Sequence, residues 1–295
     1  MDREAEGMLL ALLSGLNYAL FMVIGKTVAE DYPPVFFAAL SVFIGFLAVL
    51  LVALAQGRPF AFSQDDWMRG VATGFFTSFM AIFLFFLGIP GTGSIDAVIL
   101  LQSELVFSLA VGYFLAGEAV TKRQVAYSLL VLLGIVTVLF KGAMPSLSVS
   151  ALLILVSPLF YPLGSATAKP LLKRHPLLHV LCVRMFFGCV FLFAAAALFE
   201  RAPLPALDSG LALDAAFQGI VIMAAGHAAW YLSIGRINIS KASACISATP
   251  LFALFFAWLL RGEVPTLQQL FGVALVVAGV ALIAFKVKSL SRKQQ

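Results

Sequence analysis

Gly112-Tyr-Phe-Leu-Ala-Gly-Glu-Ala-Val-Thr-Lys-Arg-Gln124 returns 145 residues later, without a gap, as Ala257-Trp-Leu-Leu-Arg-Gly-Glu-Val-Pro-Thr-Leu-Gln-Gln269. At the same offset Gly134 meets Gly279, Phe140 meets Phe285 and Lys141 meets Lys286. Upstream, Gly74, Leu87, Ile89, Ala97 and Phe107 fall on Gly219, Leu232, Ile234, Ala242 and Phe252. The earlier parts match at an offset of 143, where Ser14, Leu16, Tyr18, Leu20, Lys26, Pro33 and Gly45 fall on Ser157, Leu159, Tyr161, Leu163, Lys169, Pro176 and Gly188. Shared hydrophobicity places Leu over Leu, but it does not align Gly-Glu-x-x-Thr-x-x-Gln with itself. The chain is therefore a tandem repeat, divided at 1–141 and 142–295.

What each repeat contains follows from composition. Of 295 residues 62% are hydrophobic and 11% charged, against about half and about a quarter in a soluble domain. So little polar sequence cannot cover a water-facing surface, so the outside faces lipid. Apolar runs bounded by charge, Pro or Gly predict ten helical spans near 8–25, 34–55, 68–88, 94–116, 124–140, 149–168, 177–199, 214–235, 240–260 and 266–285. Barrel strands would alternate polar and apolar residues, and runs such as Leu129-Leu130-Val131-Leu132-Leu133 do not. Ten spans put both tails on one side. That side collects fourteen basic residues against four on the other, with Arg184 inside a span, which predicts cytoplasmic termini, in an inner membrane, and a short basic tail. Five spans per repeat, an odd number, make the two halves enter the membrane from opposite sides. Inverted repeats of this kind recur in secondary transporters, where two equivalent halves open one site alternately to either side.

The paired turns Gly117-Glu118 and Gly262-Glu263, each closing an apolar helix before Thr and Gln, make the chain resemble the drug/metabolite transporter superfamily, in its EamA-domain branch with two such domains. Leu100-Leu-Gln-Ser-Glu-Leu-Val-Phe107 and Ala248-Thr-Pro-Leu-Phe252 are similar to the family's fourth and ninth helices; Pro250 fits, whereas Leu105 stands where many members carry Pro. The resemblance implies a ten-helix basket whose central cavity is lined by helices one, three, four, six, eight and nine. It also implies export of amino acids, other metabolites or drug-like compounds, coupled to protons or exchange.

Polar groups at membrane depth are the candidate site. Ionisable residues there are costly and read as functional by default. Glu104, beside Gln102 and Ser103, is the first candidate for proton coupling or for meeting a cationic group, with a pair to Arg184 as the plain alternative. His227 is a second titratable candidate, followed by Trp230 and Tyr231. Asn17 and Tyr18 in span one, with Tyr161 in span six, occupy related places in the two halves, and Ser247 joins a polar stripe on span nine. Pro158 and Pro162 make span six irregular, as expected at a transporter's site. Arg184 reads as a structural charge that snorkels or binds backbone. The two Gly-Glu pairs read as helix-end turns, the Glu capping the following helix. Gly272 and Gly279 suggest close helix packing and a homodimer face.

Other classes find little support. Cys182, Cys189 and Cys245 lie in apolar runs without metal or redox spacing, and three histidines, His175, His179 and His227, are too few for a metal site. Gly25-Lys26-Thr27 resembles the end of a P-loop, but Leu20 stands where its first Gly is needed. Scattered basic residues exclude nucleic acid, and no catalytic motif or cofactor site is present. The expected function is a secondary active transporter that exports a small metabolite, amino acid or drug-like solute. Import or exchange of a vitamin, nucleoside or nucleotide-like solute is the rival within the class, and an intramembrane lipid-modifying enzyme is the rival outside it.

Overall fold

The computed structural model describes residues 3–116, 120–141, 144–145, 148–200, 208–234, 236–237, 242, 245–246 and 249–291. Gly117, Glu118 and Ser247 lie outside the described residues. The described chain is helical almost throughout, in rods labelled here α1 (Arg3–Asp31), α2 (Pro34–Ala55), α3 (Gln64–Gly91) and α4 (Ser94–Leu115). They continue as α5 (Lys122–Leu139), α6 (Val149–Arg174), α7 (Leu177–Phe199), α8 (Ser209–Ser233), α9 (Thr249–Arg261) and α10 (Leu267–Ser291). Seven of the described helices, α1 to α4 and α6 to α8, are long and apolar enough to cross a membrane. Large apolar side chains such as Leu51, Phe114, Leu198 and Leu213 point outward, as the lipid side of a multi-pass membrane protein requires. The all-helical expectation needs one amendment. Phe140–Lys141 pairs antiparallel with Met144–Pro145 as a two-residue ladder where the halves join, a turn too short to leave a periodic signal.

Several helices run past their apolar stretch. α1 starts at Arg3 rather than near 8, with Glu4 and Glu6 in its first turn, where acidic groups favour the helix dipole. α2 is helped from the other half: its N-cap, Pro33, has no capping side chain, and the Glu200 carboxylate accepts the N–H groups of Val35 and Phe36 at 2.7 and 2.8 Å. α5 begins with a reciprocal cap between Thr121 and Gln124, and α10 with the same device between Thr266 and Gln269. The Thr-x-x-Gln shared by the two repeats is thus a capping box.

Two close crossings recur at the repeat spacing. On the α5–α10 seam a Cβ at Gly134 would stand 2.6 Å from the Gly272 carbonyl oxygen and 3.2 Å from the Val276 nitrogen. One at Gly279 would stand 2.8 Å from the Tyr127 carbonyl oxygen and 3.2 Å from the Val131 nitrogen. Likewise Gly74 of α3 lies against the Arg184 carbonyl and the Gly188 nitrogen of α7, and Gly219 of α8 against the Ser41 carbonyl and the Gly45 nitrogen of α2. The glycine face of α10 is therefore covered by α5 and is not free for a homodimer. α3 and α8 also share a rare feature: each winds as a π-helix, over Gly74–Met80 and Phe217–Ala225.

Polar contacts separate two ends of the bundle. At the end where α1 begins, Glu6 pairs with Arg236 at 2.9 Å, and Asp66 at the start of α3 meets Arg174 and His175 after α6 at 3.3 and 3.1 Å. At the far end α1, α3, α4, α9 and α10 meet, and the core of Phe37, Phe85, Phe86, Ile99 and Leu100 fills the space behind.

Candidate functional site

α4 is interrupted at Gln102, two residues before its carboxylate Glu104. Gln102 and Leu105 donate their N–H groups three residues back, to Ile99 and Gln102, both at 3.2 Å, and a new helical segment starts at Ser103. The interruption forms without the Pro that the resemblance led one to look for at Leu105. Ser103 Oγ donates to the Leu155 carbonyl of α6 at 2.7 Å, and α6 is itself broken by a tight turn over Ser157–Leu159. Pro158 sits in this turn, and a proline ring cannot donate to the helical ladder. The two breaks lie side by side and set Glu104 and Tyr161 into the bundle.

Around Glu104 the structure brings together groups from five helices. The Tyr18 hydroxyl faces the carboxylate, and Tyr161 interacts electrostatically with both. The Tyr18 hydroxyl is buried and closes no hydrogen bond of good geometry. On the other side of Tyr161 comes the Arg184 guanidinium of α7, with the Tyr231 hydroxyl beside it and His227 next to that. Glu104 and Arg184 do not pair with each other; the tyrosines lie between them. Arg184 does not snorkel to headgroups, being only 5% exposed. Tyr18, Gln102, Glu104, Tyr161, His227 and Tyr231 are by contrast each partly accessible.

Some predicted residues serve the backbone. A π-helical stretch leaves carbonyls without their usual partners, and in α8 side chains take them up. Asn17 Nδ2 donates to the Val221 carbonyl at 2.7 Å, His227 Nδ1 to that of Met223 at 2.7 Å, and Ser14 Oγ to that of Gly226 at 3.3 Å. Among the described residues Gln102 Nε2 donates only to the Val98 carbonyl of its own helix, at 3.4 Å. Trp230 packs against a small apolar cluster of Ala11, Ile237 and Ala242. Tyr231 has a second face, on a cavity of about 380 Å³ at the end where α1 begins, which Arg3, Glu6, Leu232 and Arg236 also line.

The far end carries a cluster that the sequence reading missed. Arg261 binds Glu30 through both terminal nitrogens at 3.1 Å, Glu263 through Nε at 2.8 Å and Thr27 at 3.1 Å. Lys26 adds a contact to Glu30 at 3.3 Å and donates to the Pro90 carbonyl at 2.7 Å. Gly262 takes φ +65°, and Glu263 N–H returns to the Ala257 carbonyl, closing α9 as a glycine cap does. The Glu263 side chain does not cap α10, because Thr266 already does. It accepts from Arg261 and from Ser94 of α4 instead. Only the repeated Gly-Glu drew attention to this end, and a charge cluster between distant spans leaves no pattern along the chain. Among the described residues no three His, Cys, Asp or Glu side chains come together to hold a metal.

The model of the EamA-like transporter family matches residues 5–140 and again 148–285. The chain belongs to that family: it is a membrane transporter of the drug/metabolite type and not an enzyme. Among its relatives is a "probable terminal-alkyne amino-acid exporter" of Streptantibioticus cattleyicolor, 30% identical over 63% of this chain and 63% of that protein. The chain thus spans a little under two thirds of that relative. A "probable amino-acid metabolite efflux pump" of Salmonella typhimurium is 24% identical over 96% of this chain and 97% of its own. The uncharacterized transporter YoaV of Bacillus subtilis is 22% identical over 88% and 90%. A solved crystal structure at 19% identity superposes over 97% of this chain and 99% of its own with a TM-score of 0.70, so the fold is an established one.

Proposed function

We propose that this protein exports a small metabolite, an amino acid or a close relative of one, from the cytoplasm by alternating access. In this reading the ten helices all span the membrane, as two inverted five-helix repeats with both termini cytoplasmic. The matched glycine crossings and the paired π-helices of α3 and α8 support the inversion, because equivalent residues make equivalent contacts in both directions. The observation that carries the proposal is the meeting of Tyr18, Glu104, Tyr161, Arg184 and Tyr231 between the halves. Solute sits there, bordered also by Asn17, Gln102, His227 and Trp230. A cavity beside Tyr231 at the end where α1 begins, together with the Arg261 cluster that ties the far end, supports a cytoplasm-open conformation.

Glu104 carries the proton. It has no basic partner among the described residues, whereas His227 already commits Nδ1 to a backbone carbonyl. Export is the direction that the names of two relatives carry. The test is efflux from proteoliposomes under an imposed pH gradient. Glu104→Gln should lower proton-driven efflux by at least about tenfold and flatten its pH dependence, the scale on which a single positioned acid or base acts. An unchanged rate with an unchanged pH profile refutes coupling through Glu104. Uptake that rescues an auxotroph, without growth protection against any solute, would make the protein an importer.

A further inference from the structure

Arg184 stands 5% exposed in the middle of α7, and its Nε is buried with no hydrogen-bond partner. Among the described residues it forms no ion pair, whereas Glu6, Lys26, Asp66 and Arg261 form theirs at the two ends of the bundle. The groups around it, Tyr161, Tyr231 and His227, include no carboxylate. The repeat-related position holds Ser41, so the fold itself does not call for a cation here. A guanidinium taken from water and left unanswered is strongly unfavourable. A chain that keeps one in its polar centre has a use for an anion arriving from elsewhere.

The surroundings narrow the choice of anion. A guanidinium presents a planar fork that matches a carboxylate with two parallel hydrogen bonds, and the flanking tyrosine hydroxyls can donate to the same oxygens. Across Tyr18 and Tyr161, Glu104 is likewise without a cationic partner. Among the described residues one positive and one negative charge without an ionic partner thus flank Tyr161 from opposite halves of the chain. Tyr231 lies beside Arg184 and also lines the 380 Å³ cavity with Arg3, Glu6 and Arg236.

We propose that Arg184 is the anchoring residue for the carboxylate of the transported solute. The solute is then a zwitterion that turns its ammonium group toward Glu104, and neutral or purely cationic compounds are carried poorly. Glu104 can hold the ammonium group or a proton but not both, which links the two fluxes. The proposal rests on the central transport site put forward above, and names what that site selects.

The experiment is counterflow in proteoliposomes with L-leucine, L-methionine and L-phenylalanine, each beside its amide, which keeps the ammonium group and loses the carboxylate. The wild-type protein should exchange at least one acid and favour it over its amide by at least about tenfold, the scale of a charge-assisted hydrogen bond. Arg184→Gln should lose acid exchange by about tenfold to a hundredfold while amide exchange holds, and Arg184→Lys should fall between. A merely structural role would lower acid and amide together. An unchanged acid-to-amide ratio in Arg184→Gln overturns the proposal. So does wild-type protein that moves amides as well as acids, or none of the acids, a comparison that does not depend on any variant folding. Growth protection persisting alongside such a result would keep the export reading and discard this solute class.

Discussion

Replacing Gly134 or Gly279 by alanine probes the seam on which the two halves meet. A new Cβ would stand 2.6 Å from the Gly272 carbonyl oxygen in the first case and 2.8 Å from the Tyr127 carbonyl oxygen in the second. Ordinary contact begins at 3.4 Å, so α5 and α10 must separate by about 0.6 to 0.8 Å, and backbone atoms cannot rotate away as side chains can. Overpacking of this kind costs about 1–3 kcal/mol, against which Gly to Ala in a helix returns up to about 1 kcal/mol. Each single variant should therefore lose about 0.5–2 kcal/mol in reversible unfolding from detergent micelles. Once the helices have moved apart for one methyl group the second finds room, so the double variant should cost at least about 0.5 kcal/mol less than the two added together. Stabilisation of both singles by the helix-propensity gain alone would mean that the seam is not close-packed, and the argument from matched crossings would fail with it.

Gly262→Ala forces a side chain into the left-handed region at φ +65° and should destabilise by about 1 kcal/mol in the same unfolding assay, while Gly262→Asn should cost less. Arg261→Ala removes the contacts to Glu30, Glu263 and Thr27 that join α1 to the end of α9. Because these groups are partly solvated, the loss in stability should stay near or below about 1 kcal/mol and shrink in high salt. The clearer readout is opening: an impermeant reagent added from the far side should reach the central site faster in Arg261→Ala than in wild type, and equal rates would deny the cluster a role in closure.

The boundaries of α2 and α7 were legible as 34–55 and 177–199 because Pro33, Pro34 and Pro176 start these helices and their apolar runs end where the helices do. α1, α3 and α6 run further than their apolar runs, since residues such as Lys169 and Lys173 can stay helical while their stems reach toward water. The π-helices of α3 and α8 could not be read at all: a wider turn changes which backbone carbonyls need partners, not how apolar the segment is. For the same reason the carbonyl contacts that Asn17 and His227 make with α8 could not be read from their places in the sequence. Glu104 and Arg184 stood out as charges at membrane depth, but whether they pair depends on how α4 and α7 are placed, and spacing along the chain carries no such distance. The Thr-x-x-Gln of each repeat was visible, and its reciprocal hydrogen bonds give the physical reason that both halves carry it.

Alternating access through one chamber is tested most directly by labelling. With Cys182, Cys189 and Cys245 replaced, Tyr161→Cys would place a single thiol at the centre, to be titrated with a membrane-impermeant maleimide from the cytoplasmic or the external face of oriented vesicles. The account predicts reaction from both faces, faster from the cytoplasm, with Arg261→Ala shifting the balance outward. Reaction from one face only, whether or not Arg261 is present, would contradict it.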